Sequence, residues 1–397
     1  MSDLLSVAQA RERVLGAVRP LEAEPVPVAA ALSRVLAHEV RAVGDVPPFA
    51  NSAMDGFAVH AGAAGRRLAI VDEARAGHPA QRRVGEAEAI RISTGAAIPA
   101  EAEAVIRIED TTEKDGIVEL HADVAPEHNL REAGEDLVAG ALVLSAGRPL
   151  GAIELAVAVA AGAGELWCAR RPRVVVLGTG DELRGPGEAL GPGEIHNSNA
   201  VGLAALAEEA GAEILRVGRI ADTRAATEAA LREALELADL VVLSGGVSVG
   251  PHDHVKPALE AVGVPERFWG VLLKPGKPTW FGAREDGPLV FGLPGNPVSA
   301  LVTFALFARP ALRALQGADP LRDSLSATLA EPVGREARRE QAVRVRLARR
   351  RGELLATPTG PQGSHILSSL LGAGGLAMIP AGAGELAAGE EVEVLPL

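Results

Sequence analysis

The chain has 397 residues, 48% of them hydrophobic and 23% charged, and carries a net charge of −13. That length exceeds what one hydrophobic core usually supports, so about two to four domains are expected. The acidic balance, with 3% aromatic residues and no Tyr, argues against broad nucleic-acid binding, because phosphate-neutralising charge and stacking rings are both scarce.

The single Cys168 excludes an intrachain disulfide framework or a thiolate cluster, so any metal here should be held by oxygen ligands. No apolar run is long enough to span a bilayer, and the opening MSDLLSVAQARERV reads as an amphipathic helix rather than a signal segment. No membrane association is expected, and the cytoplasm is the expected compartment.

Residues 6–18 are expected to form a helix, with Ser6 and Gln9 spaced as a capping box. The runs AEAIRIS, EAVIRIED, GIVELHADV and ALVLSAG, punctuated by Gly, Pro and Asp, predict a β-rich region over 23–145. An Ala-rich helix over 150–161 leads out of it. From Arg173 strands and helices alternate: RVVVL, a helix over 199–210, EILRVG, a helix over 223–237, then DLVVL. Apolar β-branched runs separated by helices imply a parallel sheet covered on both faces, hence an α/β domain. A long apolar helix over 297–316 should be kinked or ended by Pro310. After Gly317 strands return, as in QAVRVRL, where Val343, Val345 and Leu347 share one face and Arg344 and Arg346 the other.

Chemistry concentrates in four loops. In DLVVLSGGVSVG an apolar strand enters a loop containing Gly245, Gly246 and Ser248, and the carboxylate of Asp253 follows. Such a strand-end loop before a helix offers unpaired backbone N–H groups to an anion. RVVVL ends in GTGDEL, which lacks the third glycine of a dinucleotide fingerprint, and the Gly276-Lys277 pair lacks the spacing of a Walker loop. What these loops deliver is carboxylates, at Asp181/Glu182 and Asp253, beside an anion cradle. That pairing makes sense where a divalent cation bridges protein to phosphate. The third loop, GLPGNP, sets Asn296 as a helix N-cap and Pro297 in the first turn. The fourth, KPGKP, holds Lys274 and Lys277 on a stiff turn; each loop alone is also consistent with plain turn chemistry.

LGTGDEL, EIHNSN, SGGVSVGPHDHVK, LKPGKP and GLPGNPVSA, in this order, resemble the MoeA family of molybdopterin molybdenumtransferases, which includes the E domain of gephyrin. VPPFANSAMDGFAV, RISTGAAIP, NLREAGED and GPQGSH resemble it too, so the likeness spans nearly the whole chain. It implies a dimeric multidomain α/β protein. The expected parts are a helical linker domain (1–22 and 138–168), a β-rich domain (23–137), a parallel-sheet molybdopterin-binding domain (169–317) and a C-terminal β-barrel (318–397).

The resemblance further implies that adenylated molybdopterin and molybdate are the substrates, that Mg²⁺ is needed and that AMP is released. Carried over residue by residue, it gives Asp55, Thr94, Asp136, Glu182, Asp222 and Asp253 catalytic roles. Arg131, Gly245, Gly246, Ser248, Lys274, Lys277, Pro294, Pro297, Arg344 and Ser364 are expected to bind the substrate, and Glu182 and Asp253 the cation. Ala50 and Phe57 stand where relatives often carry Asp and Tyr. Expected partners are a second copy of the chain, a molybdopterin adenylyltransferase and cofactor-accepting proteins. The rival readings are an adenylyltransferase acting on the pterin, which shares the SGGVSVG-type loop, and a non-enzymatic scaffold. The additional β domains and the PGNP helix favour metal insertion.

Overall fold

The computed structural model describes residues 4–247, 254–321 and 323–397. Ser6 caps the first helix, Val7–Gly16, in the expected capping box: its hydroxyl accepts from the Gln9 amide, and the Gln9 side chain accepts from the Ser6 amide. The buried side of this helix, Val7, Ala10 and Val14, packs into the core of the α/β unit, alongside Phe307 and Leu312.

A small linking layer follows. Ala23–Pro27 pairs antiparallel with Glu165–Ala169, and Val40–Arg41 with Leu142–Leu144, around a core that includes Leu36, Leu150, Ala158 and Cys168. The helix Ala152–Ala160 in this layer buries only Ala158 fully, leaving Ile153 and Val159 exposed. Between these pairings the chain makes a six-stranded sheet in the order Ala104–Arg107, Gly56–Val59, Glu88–Ile92, Arg67–Ala74, Ile117–Leu120, Thr111–Lys114.

The α/β unit carries six strands in the order Glu213–Ile220, Arg173–Thr179, Leu240–Ser244, Leu289–Leu293, Trp280–Ala283, Glu266–Trp269. The strands whose alternation with helices predicted a parallel sheet do pair in parallel, and Leu289–Leu293 continues it; the sheet becomes mixed at one edge, where Trp280–Ala283 runs antiparallel to both of its neighbours. The connections beside it are too short to hold the crossover helix that parallel neighbours require. The rest of the alternation is as expected, with helices Ser198–Glu209, Arg224–Leu237 and Val255–Ala261 between strands.

Pro310 does not break the long apolar helix. Pro297–Thr303 passes through a π segment, Phe304–Ala308, into Arg309–Leu315, where Pro310 sits in the first turn after the wide stretch and its missing N–H costs little. This 19-residue helix, Pro297–Leu315, is apolar and long enough to cross a membrane, but it is 78% buried and serves as a core helix.

The C-terminal strands Leu325–Leu329, Glu340–Arg350, Glu353–Pro358, Gly375–Ile379 and Glu391–Pro396 close into a barrel, and Leu273–Lys274 from the α/β unit adds to its sheet. Val343, Val345, Ala377 and Val394 fill the barrel. The alternate face was expected to be polar. Instead Ala342, Leu376, Met378 and Leu395 join the α/β core, so this face is covered by the neighbouring unit. Arg344 lies on it, opposite Leu376, and is completely buried.

Candidate active site

The carboxyl ends of three neighbouring strands define a cleft of about 640 Å³. Arg173–Thr179 delivers Thr179, Gly180 and Glu182, Leu240–Ser244 delivers Ser244, Gly245 and Gly246, and Leu289–Leu293 leads into Pro294, Asn296 and Pro297. Asp222 completes the wall beside Glu182. This is the crevice outside the strand ends where open α/β sheets bind ligands.

Two glycines are required by positive φ and by the close approach of neighbouring atoms. Gly245 has φ +90° and a Cβ there would lie 2.9 Å from the Thr179 carbonyl oxygen. Gly246, at φ +65°, would put a Cβ 2.7 Å from Val255. Any side chain would thus collide with the scaffold that shapes the loop. Ser248 and Asp253, expected to line the same loop, lie outside the described residues.

Asn199 cross-links the cleft: its amide nitrogen donates to Ser244 Oγ at 2.9 Å and to the Gly295 carbonyl at 2.7 Å. Asn199 and Ser244 were not among the expected site residues. The EIHNSN and SGG motifs contained them, but nothing in the spacing said that they would meet. Asn197, also in the cleft, N-caps the helix Ser198–Glu209 through its side chain.

The carboxylates divide by role. Asp181 and Asp222 exchange hydrogen bonds, the Asp181 amide donating to Asp222 Oδ2 and the Asp222 amide to Asp181 Oδ1, each at 3.2 Å. Glu182 lines the cleft with no hydrogen bond or ion pair from its carboxylate among the described residues. No group of three or more His, Cys, Asp or Glu that could hold a metal occurs among the described residues. Glu182 nevertheless suits Mg²⁺, a hard cation commonly held by one or two carboxylates together with substrate phosphates.

The barrel reaches the cleft from the side. The Val298 amide, in the first turn of the PGNP helix, donates to the Ser364 carbonyl at 3.1 Å. The loop carrying Ser364 is in turn held by Arg344, whose Nη2 donates to the carbonyl of Pro361 at 3.1 Å. Gln362 accepts from the Arg344 amide at 2.9 Å. Among the described residues Arg344 Nε and Nη1 find no hydrogen-bond partner and are buried, and desolvation holds the pKa of Arg344 below the usual arginine value. Lys274 and Lys277 are both exposed on the KPGKP turn, and Pro278 beside them borders the cleft. Lys274 Nζ donates to Glu336 Oε1 at 2.5 Å.

The remaining expected residues form a separate group. Asp55 Oδ1 accepts from the Thr94 amide at 2.7 Å and from the Thr94 hydroxyl at 3.2 Å. Arg131 pairs in register with Asn51 nearby, and the Asp136 amide donates to Val46. All four are exposed, and within one chain no described hydrogen bond or ion pair joins them to the cleft.

A mixed α/β sheet with a glycine-shaped loop at its strand ends, flanked by a β-barrel and a β-rich domain, is the architecture of a multidomain α/β protein with a ligand cleft at the carboxyl edge of its sheet. Family models agree: MoeA N-terminal region (domain I and II) over residues 5–162, probable molybdopterin binding domain over 175–314, and MoeA C-terminal region (domain IV) over 326–397. The chain is 36% identical to the molybdopterin molybdenumtransferase of Haemophilus influenzae, covering 99% of this chain and 98% of that one. It is 37% identical to molybdopterin molybdenumtransferase 2 of Mycobacterium tuberculosis, covering 97% and 96%. A crystal structure of a molybdopterin biosynthesis MoeA protein from Pyrococcus horikoshii superposes with a TM-score of 0.83 at 31% identity, covering 99% of each chain. The chain belongs to the MoeA family of molybdopterin molybdenumtransferases, enzymes of molybdenum cofactor biosynthesis.

Proposed function

We propose that the cleft binds adenylated molybdopterin and that molybdate insertion is coupled there to release of AMP. The observation that carries this reading is the placing of a carboxylate, Glu182, which has no hydrogen bond or ion pair among the described residues, in the same cleft as the Gly245-Gly246 loop and the PGNP helix start. The phosphoric anhydride is cleaved when water attacks the adenylate phosphorus: the bond from that phosphorus to the bridging oxygen breaks, the molybdopterin phosphate is the leaving group, and the adenylate, now carrying the water oxygen, is released as AMP. If a molybdate oxygen attacks instead, an adenylyl molybdate forms, and water must then cleave its P–O–Mo bridge to free AMP. The charge that develops must be neutralised by fixed groups.

In this mechanism Glu182, with Asp253, would hold Mg²⁺, which supplies charge neutralisation on the phosphates when bound. The Gly246 amide and Ser248 would cradle the phosphate oxygens, on a loop anchored by the Gly245 amide, which donates to the Leu293 carbonyl at 3.1 Å. Pro294 and Pro297 stiffen the turn so that the helix presents its positive end rigidly. Lys274, Lys277, Arg344 and the Ser364 loop gather the oxyanion. Asp222 holds the Asp181–Glu182 loop against its neighbour, so its role is positioning. With one buried cysteine, the protein offers few soft ligands, and the sulfurs that receive molybdenum come from the pterin.

Asp55, Thr94, Arg131 and Asp136 would act on the cleft of a second copy in a homodimer, which is supported by their exposure and by there being, among the described residues, no hydrogen bond or ion pair from them to this chain's own cleft. The exposed apolar side of Ala152–Ala160, with Ile153 and Val159, supplies surface for such pairing. The expected setting is the cytoplasm, with a molybdopterin adenylyltransferase delivering substrate and cofactor-accepting proteins removing product.

The test is to supply molybdopterin adenylate, Mg²⁺ and molybdate, and to follow AMP. Release that requires molybdate supports the reading. AMP release at the same rate without molybdate removes it.

A further inference from the structure

Glu336 sits in the barrel turn that precedes the strand Glu340–Arg350 and reaches across to the α/β unit. Its Oε1 accepts from Lys274 Nζ at 2.5 Å and its Oε2 from Arg339 Nη2 at 3.0 Å. One carboxylate therefore bridges two cations. The turn behind it is fixed, since the Glu336 amide donates to Gln341 Oε1 at 2.7 Å and the Gly382 amide donates to the Glu336 carbonyl at 2.9 Å. Lys274 is fixed from its own side by strand pairing, opposite Gln341.

The three side chains remain partly open to solvent, with relative exposures of 46% for Lys274, 35% for Arg339 and 30% for Glu336. An incoming anion can thus reach the bridge. Lys277, on the same turn, has no ion pair among the described residues and adds a further cation.

We infer that Glu336 is an internal counter-anion that occupies the Lys274–Arg339 pair and is displaced when a tetrahedral oxyanion binds there. This rests on the reading above that Lys274 belongs to the oxyanion site. A carboxylate and a tetrahedral oxyanion both present two oxygens to a pair of N–H donors, so one can replace the other. The carboxylate has a cost, because part of the attraction for the oxyanion is spent on breaking an existing ion pair. It also has a use: without an oxyanion the carboxylate offsets one of the two positive charges and occupies the donors of both, so weaker monovalent anions compete poorly for them. Glu336 thereby sets both affinity and selectivity for a divalent oxyanion.

The experiment measures binding of molybdate, sulfate, chloride and AMP to the full-length protein and to the Glu336→Gln, Lys274→Ala and double variants, by calorimetry at fixed ionic strength. Glutamine keeps the shape and one acceptor but removes the charge. Glu336→Gln is expected to bind molybdate and sulfate about tenfold more tightly and to admit chloride more readily, with the gain vanishing in the double variant. A gain in oxyanion affinity is not what structural damage produces. If AMP tightens as molybdate does not, the displaced group is replaced by the nucleotide phosphate; if molybdate tightens alone, the metal oxyanion is the occupant. Unchanged or weaker binding of every anion by Glu336→Gln, while Lys274→Ala weakens molybdate, overturns the inference and leaves the site intact. Molybdate binding by Lys274→Ala at wild-type affinity removes Lys274 from the oxyanion site, and with it the premise.

Discussion

Asp181 and Asp222 hold each other by a reciprocal pair of backbone-to-carboxylate hydrogen bonds, both at 3.2 Å. The pair ties the loop after Arg173–Thr179 to the loop after Glu213–Ile220, and so fixes the backbone from which Glu182 projects. Each carboxylate serves as the cap of the other loop, leaving Glu182 free for the cleft.

A positioning role for Asp222 predicts a split between its two simplest variants. Asp222→Asn keeps an acceptor for the Asp181 amide and should retain turnover within about threefold, whereas Asp222→Ala should lose about tenfold or more. Steady-state AMP release decides it. Equal, severe losses in both would mean that the charge of Asp222, and not its hydrogen bond, is what the reaction uses.

Arg344 should show function held at the expense of stability. Its guanidinium is buried with two nitrogens unpartnered, a state that costs folding free energy unless an anion relieves it. Arg344→Met is expected to melt at or above the wild-type temperature while binding molybdate about tenfold more weakly. A variant that melts several degrees lower with molybdate affinity intact would make Arg344 a purely structural residue.

Asp239 links the linking layer to the sheet: Arg170 grips it at 2.8 and 2.9 Å, and the Arg173 amide donates to it at 2.7 Å. Burial pushes its pKa up, but Arg170, the Arg173 amide and both positive charges outweigh this and hold it below the usual 3.8. A carboxyl depressed on folding stabilises the fold above its unfolded value and loses that contribution as pH falls through the folded value. Asp239→Asn should therefore cost roughly 2 kcal/mol at neutral pH, with the difference from wild type closing below about pH 3.8. Urea melts at several pH values test this; a gap independent of pH would mean that the pair contributes nothing through its charge.

The separation of Asp55 and Thr94 from the cleft predicts complementation between chains. In a heterodimer of Asp55→Ala with Glu182→Ala, a site built from both subunits carries both lesions once and neither lesion once. About half of wild-type activity should return. Tagged co-expression and purification give the heterodimer. If a verified heterodimer of folded subunits stays inactive, the two groups act within one chain or Asp55 acts elsewhere.

Local rules were readable wherever a residue acts on its own neighbours. Ser6 with Gln9 announced a capped helix, and the glycines of SGG announced a strand-end loop, where a Cβ at Gly245 or Gly246 would collide with the neighbouring scaffold. Readings failed where a distant unit intervenes. Arg344 alternates with valines, which placed it on the opposite face of the strand but not under any cover; the α/β core covers that side of the barrel and buries it completely. Trp280–Ala283 is apolar like the parallel strands of the same sheet, and only the shortness of its connections carried the sign of its reversal. Pro310 would break an α-helix in isolation, but the π segment before it places the proline where no hydrogen bond is required. Asn199 escaped notice because its partners, Ser244 and Gly295, lie 45 and 96 residues away.

The central claim is that molybdenum transfer takes place in the cleft where Glu182 faces the Gly245-Gly246 cradle. The direct measurement is single-turnover AMP release from molybdopterin adenylate by Glu182→Gln, alongside the affinity of the same variant for AMP. Nucleotide affinity within about threefold of wild type, with molybdate-dependent release slowed about a hundredfold or more, is the result expected if this carboxylate acts on the transition state. Release at the wild-type rate, with Mg²⁺ and molybdate dependence unchanged, would contradict it and move the chemistry out of this cleft.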